Sequence, residues 1–290
     1  MKLNEINVRD PFILPFEGKY YLYGSRVSPT DGTHYWGKQT GFDVYLSTDL
    51  ENWSEPKSIF EITPDFWGER DAWAPEAHVY REKIYLFASF AAEGKHRGTH
   101  ILVSDRPDGT FVPVSGNPIT PPDWACLDGT FYVDKSGKPY MIFCHEWVQI
   151  TDGTVCAVEL TEDLSAPVSA PFLLWKGSDY KDSAYTRKGK KCFVTDGPFL
   201  YRNKNGDLLA IWSSFNANGY TELICKSDNG DIDGNWTVLD QPLSAEDGGH
   251  GMIFQAFDGK EYFIMHRPNR TTAERPVITE LKHDGDRIYI

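Results

Sequence analysis

The sequence lacks the cysteine pattern of a disulfide-rich or zinc-binding protein. It has five cysteines in 290 residues, at positions 126, 144, 156, 192 and 225, and none are spaced as Cys-x-x-Cys. An odd number without that spacing indicates neither a disulfide framework nor a zinc cluster. We expect small buried thiols in a reducing compartment.

The sequence also lacks long apolar runs and an excess of basic residues. No run reaches membrane-spanning length, and the N-terminus, MKLNEINVRD, has no apolar core of the signal-peptide type. The 29 Lys and Arg face 42 Asp and Glu, a net charge of -13. Nucleic acids and anionic membranes bind through Lys and Arg, so we expect neither as a partner. We expect a cytoplasmic protein that binds a neutral small molecule or a polysaccharide; the oligomeric state is left open.

Helical periodicity is missing as well. Short apolar runs and alternating polarity dominate, and no segment keeps a helical period over several turns. Aromatic residues are abundant, with 17 Phe, 15 Tyr and 9 Trp. Such residues favour strands and offer flat surfaces for sugar rings. The sequence therefore predicts an all-β protein.

One strand pattern recurs five times along the chain. Each copy has a short motif, an apolar strand, a turn with Gly or charge, and a second aromatic strand. The copies begin at Asp10, Ala74, Leu127, Thr195 and His250. Spacings of about 50 to 70 residues suit a four-stranded propeller blade, whereas a β-sandwich does not explain five recurrences. We predict one domain, residues 1–290, folded as a five-bladed β-propeller.

In a propeller, the first strand of each blade lines the central channel, and these strands start at one face. Residues that open equivalent strands are therefore expected to converge in space. We assign these positions to Asp10, Glu76 (or its neighbour Pro75), Asp128, Asp196 and His250. A single Asp before Gly or Pro is a common turn former, but the joint placement of these groups favours chemistry.

The motifs at these openings resemble those of glycoside hydrolase family 43, five-bladed propellers that cleave arabinose-, xylose- or galactose-containing glycans with inversion. The matching motifs are RDP at 9–11, WAPE at 73–76, LDG at 127–129, TDGP at 195–198 and GHG at 249–251. The likeness runs from Asp10 to about His266. It implies that Asp10 is the general base, that Asp128 positions and tunes the acid, and that residue 196 is the general acid.

The acid position departs from the family pattern. The family usually has Glu there, within TEGP, whereas this chain has Asp196, whose side chain is shorter by one methylene, about 1.5 Å. Glu146 is an alternative acid because it closes the second strand of the third blade, which returns toward the same face. Glu76 is a further candidate. We expect Asp196 to be the acid, because it opens an inner strand and Glu146 ends a strand farther from the axis.

Further candidates for substrate binding lie at strand ends or loops of the same face. They are Trp73, Glu76, His96, Arg97, Trp147, Phe215, His266 and Arg267. Aromatic rings stack on sugars, and the Arg fork binds hydroxyls or orients a carboxylate. The family resemblance implies a weak Ca²⁺ or Na⁺ site beside His250, held largely by water, and no required cofactor.

These features predict an inverting glycoside hydrolase that removes terminal sugars, above all α-L-arabinofuranose, from plant-type oligosaccharides or polysaccharides. β-Xylosidase, β-galactofuranosidase and endo-arabinanase activities stay open within the family. The alternative from another class is a carbohydrate-binding propeller without catalysis, because the usual Glu is missing at position 196.

Overall fold

The computed structural model describes residues 1–27, 38–285 and 287–290. Most of the connection between Arg26 and Gly41 lies outside the described residues. Strands dominate the described part of the chain, and its α-helical content is a single turn, α1 (Trp147–Ile150). Three short 3₁₀ turns complete the helical elements: Leu3–Glu5, Gly177–Asp179 and Thr271–Ala273.

Most of the strands form five antiparallel sheets, each built from strands consecutive in sequence, and the others form two short hairpins. Blade one contains β1 (Val8–Phe16), β2 (Lys19–Arg26), β3 (Gly41–Ser47) and β4 (Lys57–Glu61). Blade two contains β5 (Arg70–Tyr80), β6 (Lys83–Ala91), β7 (Gly98–Ser104) and β8 (Val112–Pro113). Blade three contains β9 (Cys126–Val133), β10 (Pro139–His145), β11 (Thr154–Glu159) and β12 (Phe172–Lys176).

A small hairpin, β13 (Thr186–Arg187) and β14 (Lys190–Lys191), precedes blade four. Blade four contains β15 (Asp196–Arg202), β16 (Leu208–Asn216), β17 (Gly219–Ser227) and β18 (Trp236–Val238). Blade five has three strands, β19 (Gly249–Gln255), β20 (Glu261–Arg267) and β21 (Arg275–Glu280). A terminal hairpin follows, β22 (Lys282–Asp284) and β23 (Arg287–Tyr289).

The five inner strands close a ring. Each of β1, β5, β9, β15 and β19 contacts the next in this order, and β19 contacts β1. Clusters of buried apolar side chains fill the spaces between neighbouring blades. Trp175 and Trp212, for example, meet between blades three and four with ring centroids 6.2 Å apart. The all-β, five-bladed propeller predicted from the repeats is confirmed.

All five cysteines are buried and free, as the sequence predicted. Burial raises the pKa of the Cys126 thiol above the range of a reactive thiol. Among the described residues, no helix is long and apolar enough to cross a membrane.

Candidate active site

Each inner strand has a residue in the left-handed backbone region near its start. The residues are Asp10 (φ 52°), Ala74 (φ 49°), Asp128 (φ 56°), Gly197 (φ 50°) and His250 (φ 51°). Pairing with the second strand of the blade shifts register at each of them. A β-bulge of this kind turns a side chain away from the regular alternation of the strand. In three of the blades, the turned side chain is an ionisable group.

Serine hydroxyls of neighbouring blades hold three of these bulges in place. The backbone N–H of the bulged residue donates to a serine Oγ on the second strand of the preceding blade. The pairs are Ala74 with Ser25 (2.7 Å), Asp128 with Ser89 (2.8 Å) and His250 with Ser213 (2.7 Å). These bonds tie adjacent blades together at the catalytic face.

The bulges correct the equivalence that we expected for two blades. In blade two, the counterpart of Asp10 and Asp128 is Ala74, and Glu76 lies two residues farther along β5. In blade four, the counterpart is Gly197, and Asp196 lies one residue before it. Asp196 keeps part of its surface open to the cavity, whereas Asp10 is buried.

A cavity of about 690 Å³ opens over the strand starts. This is the usual size range of a small-molecule site. Nine of the predicted site residues line it: Asp10, Trp73, Arg97, Asp128, Glu146, Trp147, Asp196, Phe215 and His250.

Asp10 is a buried carboxylate surrounded by cations and donors. Its Oδ2 accepts a hydrogen bond from Ser25 Oγ at 2.7 Å. Its Oδ1 lies 3.1 Å from Nδ1 of His250 and 3.3 Å from Nε of Arg9. Burial alone would raise the pKa of Asp10, but the charges of His250 and Arg9 hold that pKa well below its usual range. Asp10 is therefore ionised at neutral pH, as a general base has to be.

His250 is the cation between the carboxyls. Burial would lower its pKa, but Asp10 and Asp128 raise that pKa to about 10. No cluster of three or more His, Cys, Asp or Glu that could hold a metal ion occurs in the described parts of the chain. A Ca²⁺ or Na⁺ ion beside His250, held largely by water, stays a prediction.

Asp128 and Asp196 are carboxyls whose surroundings favour the protonated form. Oδ2 of Asp128 accepts the N–H of Gly197 at 3.0 Å, and Oδ2 of Asp196 accepts the hydroxyl of Tyr220 at 3.1 Å. Burial raises the pKa of Asp128 to about 7, with a further rise from the charge of Asp196. Burial also raises the pKa of Asp196 to about 6, although His250 and Arg9 oppose this rise. A proton is therefore available between these two carboxyls near neutral pH.

Glu146 lies on another wall of the cavity as the partner of Arg97. Its Oε1 accepts Nη1 of Arg97 at 2.7 Å, and Nη2 of Arg97 donates to Asp71 at 3.0 Å. The guanidinium lies 4.1 Å from the ring centroid of Trp73. Glu146 and Asp71 thus hold Arg97 over Trp73.

An aromatic cluster forms the wall beside α1. Trp147 and Tyr185 meet at a centroid distance of 5.1 Å, and Tyr185 and Phe215 meet at 4.8 Å. All three line the cavity. Tyr185 comes from the connection before blade four and carried no motif in the sequence.

Four predicted residues do not line the cavity. His266 is fully buried behind it: its Nδ1 accepts the N–H of Asp10 at 3.3 Å, and its Nε2 lies 3.2 Å from Oδ1 of Asn269. Burial, then the charge of Arg9, holds the pKa of His266 well below its usual range, so the ring is neutral. Glu76 is buried against His78, with 3.1 Å between Oε2 and Nε2. His96 is exposed, and Arg267 is exposed and pairs with Glu246 at 2.6 Å.

A cluster of polar side chains around Arg9 was not predicted from the sequence. Nη1 of Arg9 donates to Asn269 at 2.6 Å and to Oε1 of Glu274 at 2.7 Å. Burial raises the pKa of Glu274 to about 7, against the charge of Arg9. Arg9 belongs to the RDP motif and was visible there, whereas Glu274 and Asn269 lie in the connection between β20 and β21, without a motif.

Comparisons with known proteins agree with this geometry. The family model described as "Glycosyl hydrolases family 43" matches residues 4–287. A β-D-galactofuranosidase, xynD, of Aspergillus niger is 26% identical over 275 residues, which cover 89% of this chain and 72% of that protein. A xylosidase/arabinosidase, 43A, of Humicola insolens is 29% identical over 155 residues, or 50% of this chain and 46% of that protein.

Solved structures give the same result. The crystal structure of an endo-arabinase from Bacteroides thetaiotaomicron superposes with a TM-score of 0.89 and 37% identity, covering 98% of both chains. The family resemblance seen in the sequence motifs is thereby confirmed. The chain belongs to glycosyl hydrolase family 43 and is an inverting hydrolase of O-glycosyl bonds.

Proposed function

We propose that the protein hydrolyses α-L-arabinofuranosyl bonds at the ends of arabinose-containing glycans. The observation that carries this proposal is the contrast between two carboxyls of one cavity. His250 and Arg9 hold the pKa of Asp10 well below its usual range, whereas burial raises the pKa of Asp196 to about 6. Inverting hydrolysis needs this pair, an ionised base and a protonated acid.

In the proposed reaction, Asp10 takes a proton from a water molecule as that water attacks the anomeric carbon. Asp196 gives its proton to the glycosidic oxygen as the bond to the anomeric carbon breaks. The released sugar has the inverted anomeric configuration. Asp10 ends protonated and Asp196 ionised, and exchange with solvent restores both.

Two close approaches at the start of β15 support Asp196 as the acid, although its side chain is shorter than that of Glu. The N–H of Gly197 is bonded to Asp128 at 3.0 Å, and a Cβ at Gly197 would lie 2.6 Å from the His250 ring. The start of β15 therefore packs directly against the channel groups, as only glycine allows here. This close approach favours Asp196 as the acid without the extra methylene of Glu.

The choice of arabinose as the sugar rests on a relative, and the choice of terminal over internal cleavage rests on the cavity. The B. thetaiotaomicron structure at 37% identity carries the name endo-arabinase. In this chain, Asp10 and Asp128 are only 7% and 6% exposed, at the bottom of the cavity. A chain end reaches such a position more readily than the middle of a chain, which favours release of terminal residues.

A substrate panel tests the proposal. The panel contains aryl glycosides of α-L-arabinofuranose, β-xylose and β-galactofuranose, together with arabino-oligosaccharides. We expect the highest kcat/KM on the arabinofuranosides and arabinose as the first product from oligosaccharides, measured by chromatography. Mixed shorter oligomers would show internal cleavage instead, and binding without turnover of any member would indicate a carbohydrate-binding propeller.

The pH profile of Asp128→Asn tests the tuning role of Asp128. Asp128 and Asp196 repel each other as anions, so the pair keeps one shared proton up to the higher of the two values, the pKa of about 7 of Asp128. Without the carboxylate of Asp128, Asp196 is expected to lose its proton at its own pKa of about 6. An acid works only below its pKa, so activity is lost as pH rises through that value. In the wild type this value is that of the pair, about 7. We expect the alkaline limb of kcat/KM to move to lower pH in the variant; an unchanged limb would contradict this role.

A further inference from the structure

The hairpin before blade four concentrates positive charge in an acidic protein. Residues 187–191 read RKGKK and are all exposed, whereas the chain has a net charge of -13. We call this segment the basic hairpin. Lys188 (φ 50°) and Gly189 (φ 75°) form its two-residue turn, in the left-handed geometry that tight hairpins use. The turn fixes four cations within five residues.

Among the described residues, the basic hairpin has no ion-pair partner. Within the described ranges, no carboxylate lies within 4.0 Å of a charged nitrogen of Arg187, Lys188, Lys190 or Lys191. Two of them lie over aromatic rings: Arg187 lies 5.4 Å from the centroid of Trp147, and Lys191 lies 4.9 Å from that of Phe193. Lysines also protect exposed strand edges from aggregation, but that role does not require cations beside a cleft.

The basic hairpin borders a cleft that adjoins the catalytic cavity. The cleft has a volume of about 380 Å³, and its cationic lining residues are Arg187, Lys188 and Lys190. Trp147, Val148 and Arg187 line both the cleft and the cavity. A glycan that occupies the cavity and extends past Trp147 therefore passes the cations.

We propose that the basic hairpin binds the carboxylate of a uronic acid in the glycan substrate. This inference rests on the proposed function, since it describes an extension of that site. Arg and Lys form charge-assisted hydrogen bonds with carboxylates, and Trp147 offers a ring for stacking. Large polyanions such as nucleic acids fit less well, because the rest of the protein is strongly acidic.

The test compares a double variant with a charge-matched control. Lys188→Gln/Lys190→Gln removes two charges at the cleft, and Lys19→Gln/Lys282→Gln removes two exposed charges elsewhere. The substrates are arabinose-bearing oligogalacturonides before and after methyl esterification, which removes charge and keeps the backbone. We expect the cleft variant to raise KM for the acidic form about fivefold with kcat unchanged, a typical size for two exposed ion pairs. The esterified form and the control variant are expected to show no change, and added salt is expected to reduce the wild-type preference.

Two results would overturn the inference: equal wild-type KM for the two forms, or an equal rise in KM for both in the cleft variant. Calorimetric binding of an unsubstituted oligogalacturonide keeps the test independent of turnover. If no arabinoside is cleaved but wild-type protein binds this probe better than the cleft variant does, the proposed function fails and the inference stands. Binding of double-stranded DNA with the same loss in the variant would show a general polyanion surface and overturn it.

Discussion

Asp10→Asn is expected to reduce kcat/KM about 10³- to 10⁴-fold on every substrate, the range of a lost general base. Asn has nearly the same shape and still accepts the hydroxyl of Ser25, but it cannot take the proton of the attacking water. Water attack is needed whatever the leaving group, so aryl glycosides and oligosaccharides are expected to suffer alike. Steady-state kinetics on both substrate types measures this.

Glu76→Gln is the matched control for Asp10→Asn. Glu76 is also a buried carboxyl of an inner strand, but it does not line the cavity. We expect a change in kcat/KM of less than tenfold for this variant. Thermal unfolding of both variants shows whether the fold is kept. A folded Asp10→Asn protein with more than a tenth of wild-type activity would remove Asp10 from the role of base.

Asp196→Asn is expected to reduce kcat/KM on arabino-oligosaccharides about 10²- to 10⁴-fold. The alkoxide that leaves an oligosaccharide is a strong base and needs a proton as the bond breaks, and Asn cannot supply it. The hydroxyl of Tyr220, which bonds Asp196 at 3.1 Å, is no substitute, because burial raises the pKa of Tyr220 well above its usual range. The reduction in kcat/KM is measured from the rate at which product forms on one oligosaccharide at a time.

Glu146→Gln is the control for this loss. It changes the other candidate acid in the same cavity by the same chemical step, carboxylate to amide. Because Glu146 holds Arg97 at 2.7 Å, we expect its effect mainly in KM, through a displaced Arg97. A large loss of kcat in Glu146→Gln, together with a small loss in Asp196→Asn, would make Glu146 the general acid instead of Asp196.

The fold was predictable because the propeller repeats its strand pattern in the sequence. Asp10, Asp128 and His250 were predictable for the same reason, since each lies at a bulge followed by Pro or Gly. The register of blade two was not predictable, because WAPE carries its acidic residue two positions after the bulge at Ala74. The sequence does not mark where a strand shifts register, and a shift of one residue reverses the face to which a side chain points.

Side chains brought in by other strands and connections were out of reach of sequence reasoning. Tyr220 lies on the third strand of blade four, and Glu274 lies in a connection of blade five; neither belongs to a repeated motif. His266 and Arg267 were predicted together, yet His266 is fully buried and Arg267 is exposed. Neighbouring residues of a strand point to opposite faces, so only one of the two was able to face the channel groups.

The most direct test of Asp196 as the acid is the dependence of kcat/KM on the leaving group. Aryl arabinofuranosides whose phenols differ in pKa are compared for the wild type, Asp196→Asn and Glu146→Gln. If Asp196 is the acid, Asp196→Asn loses little activity on the most acidic phenols and progressively more as the phenol becomes less acidic, while Glu146→Gln follows the wild type. A steep dependence in Glu146→Gln with a wild-type dependence in Asp196→Asn would contradict the assignment.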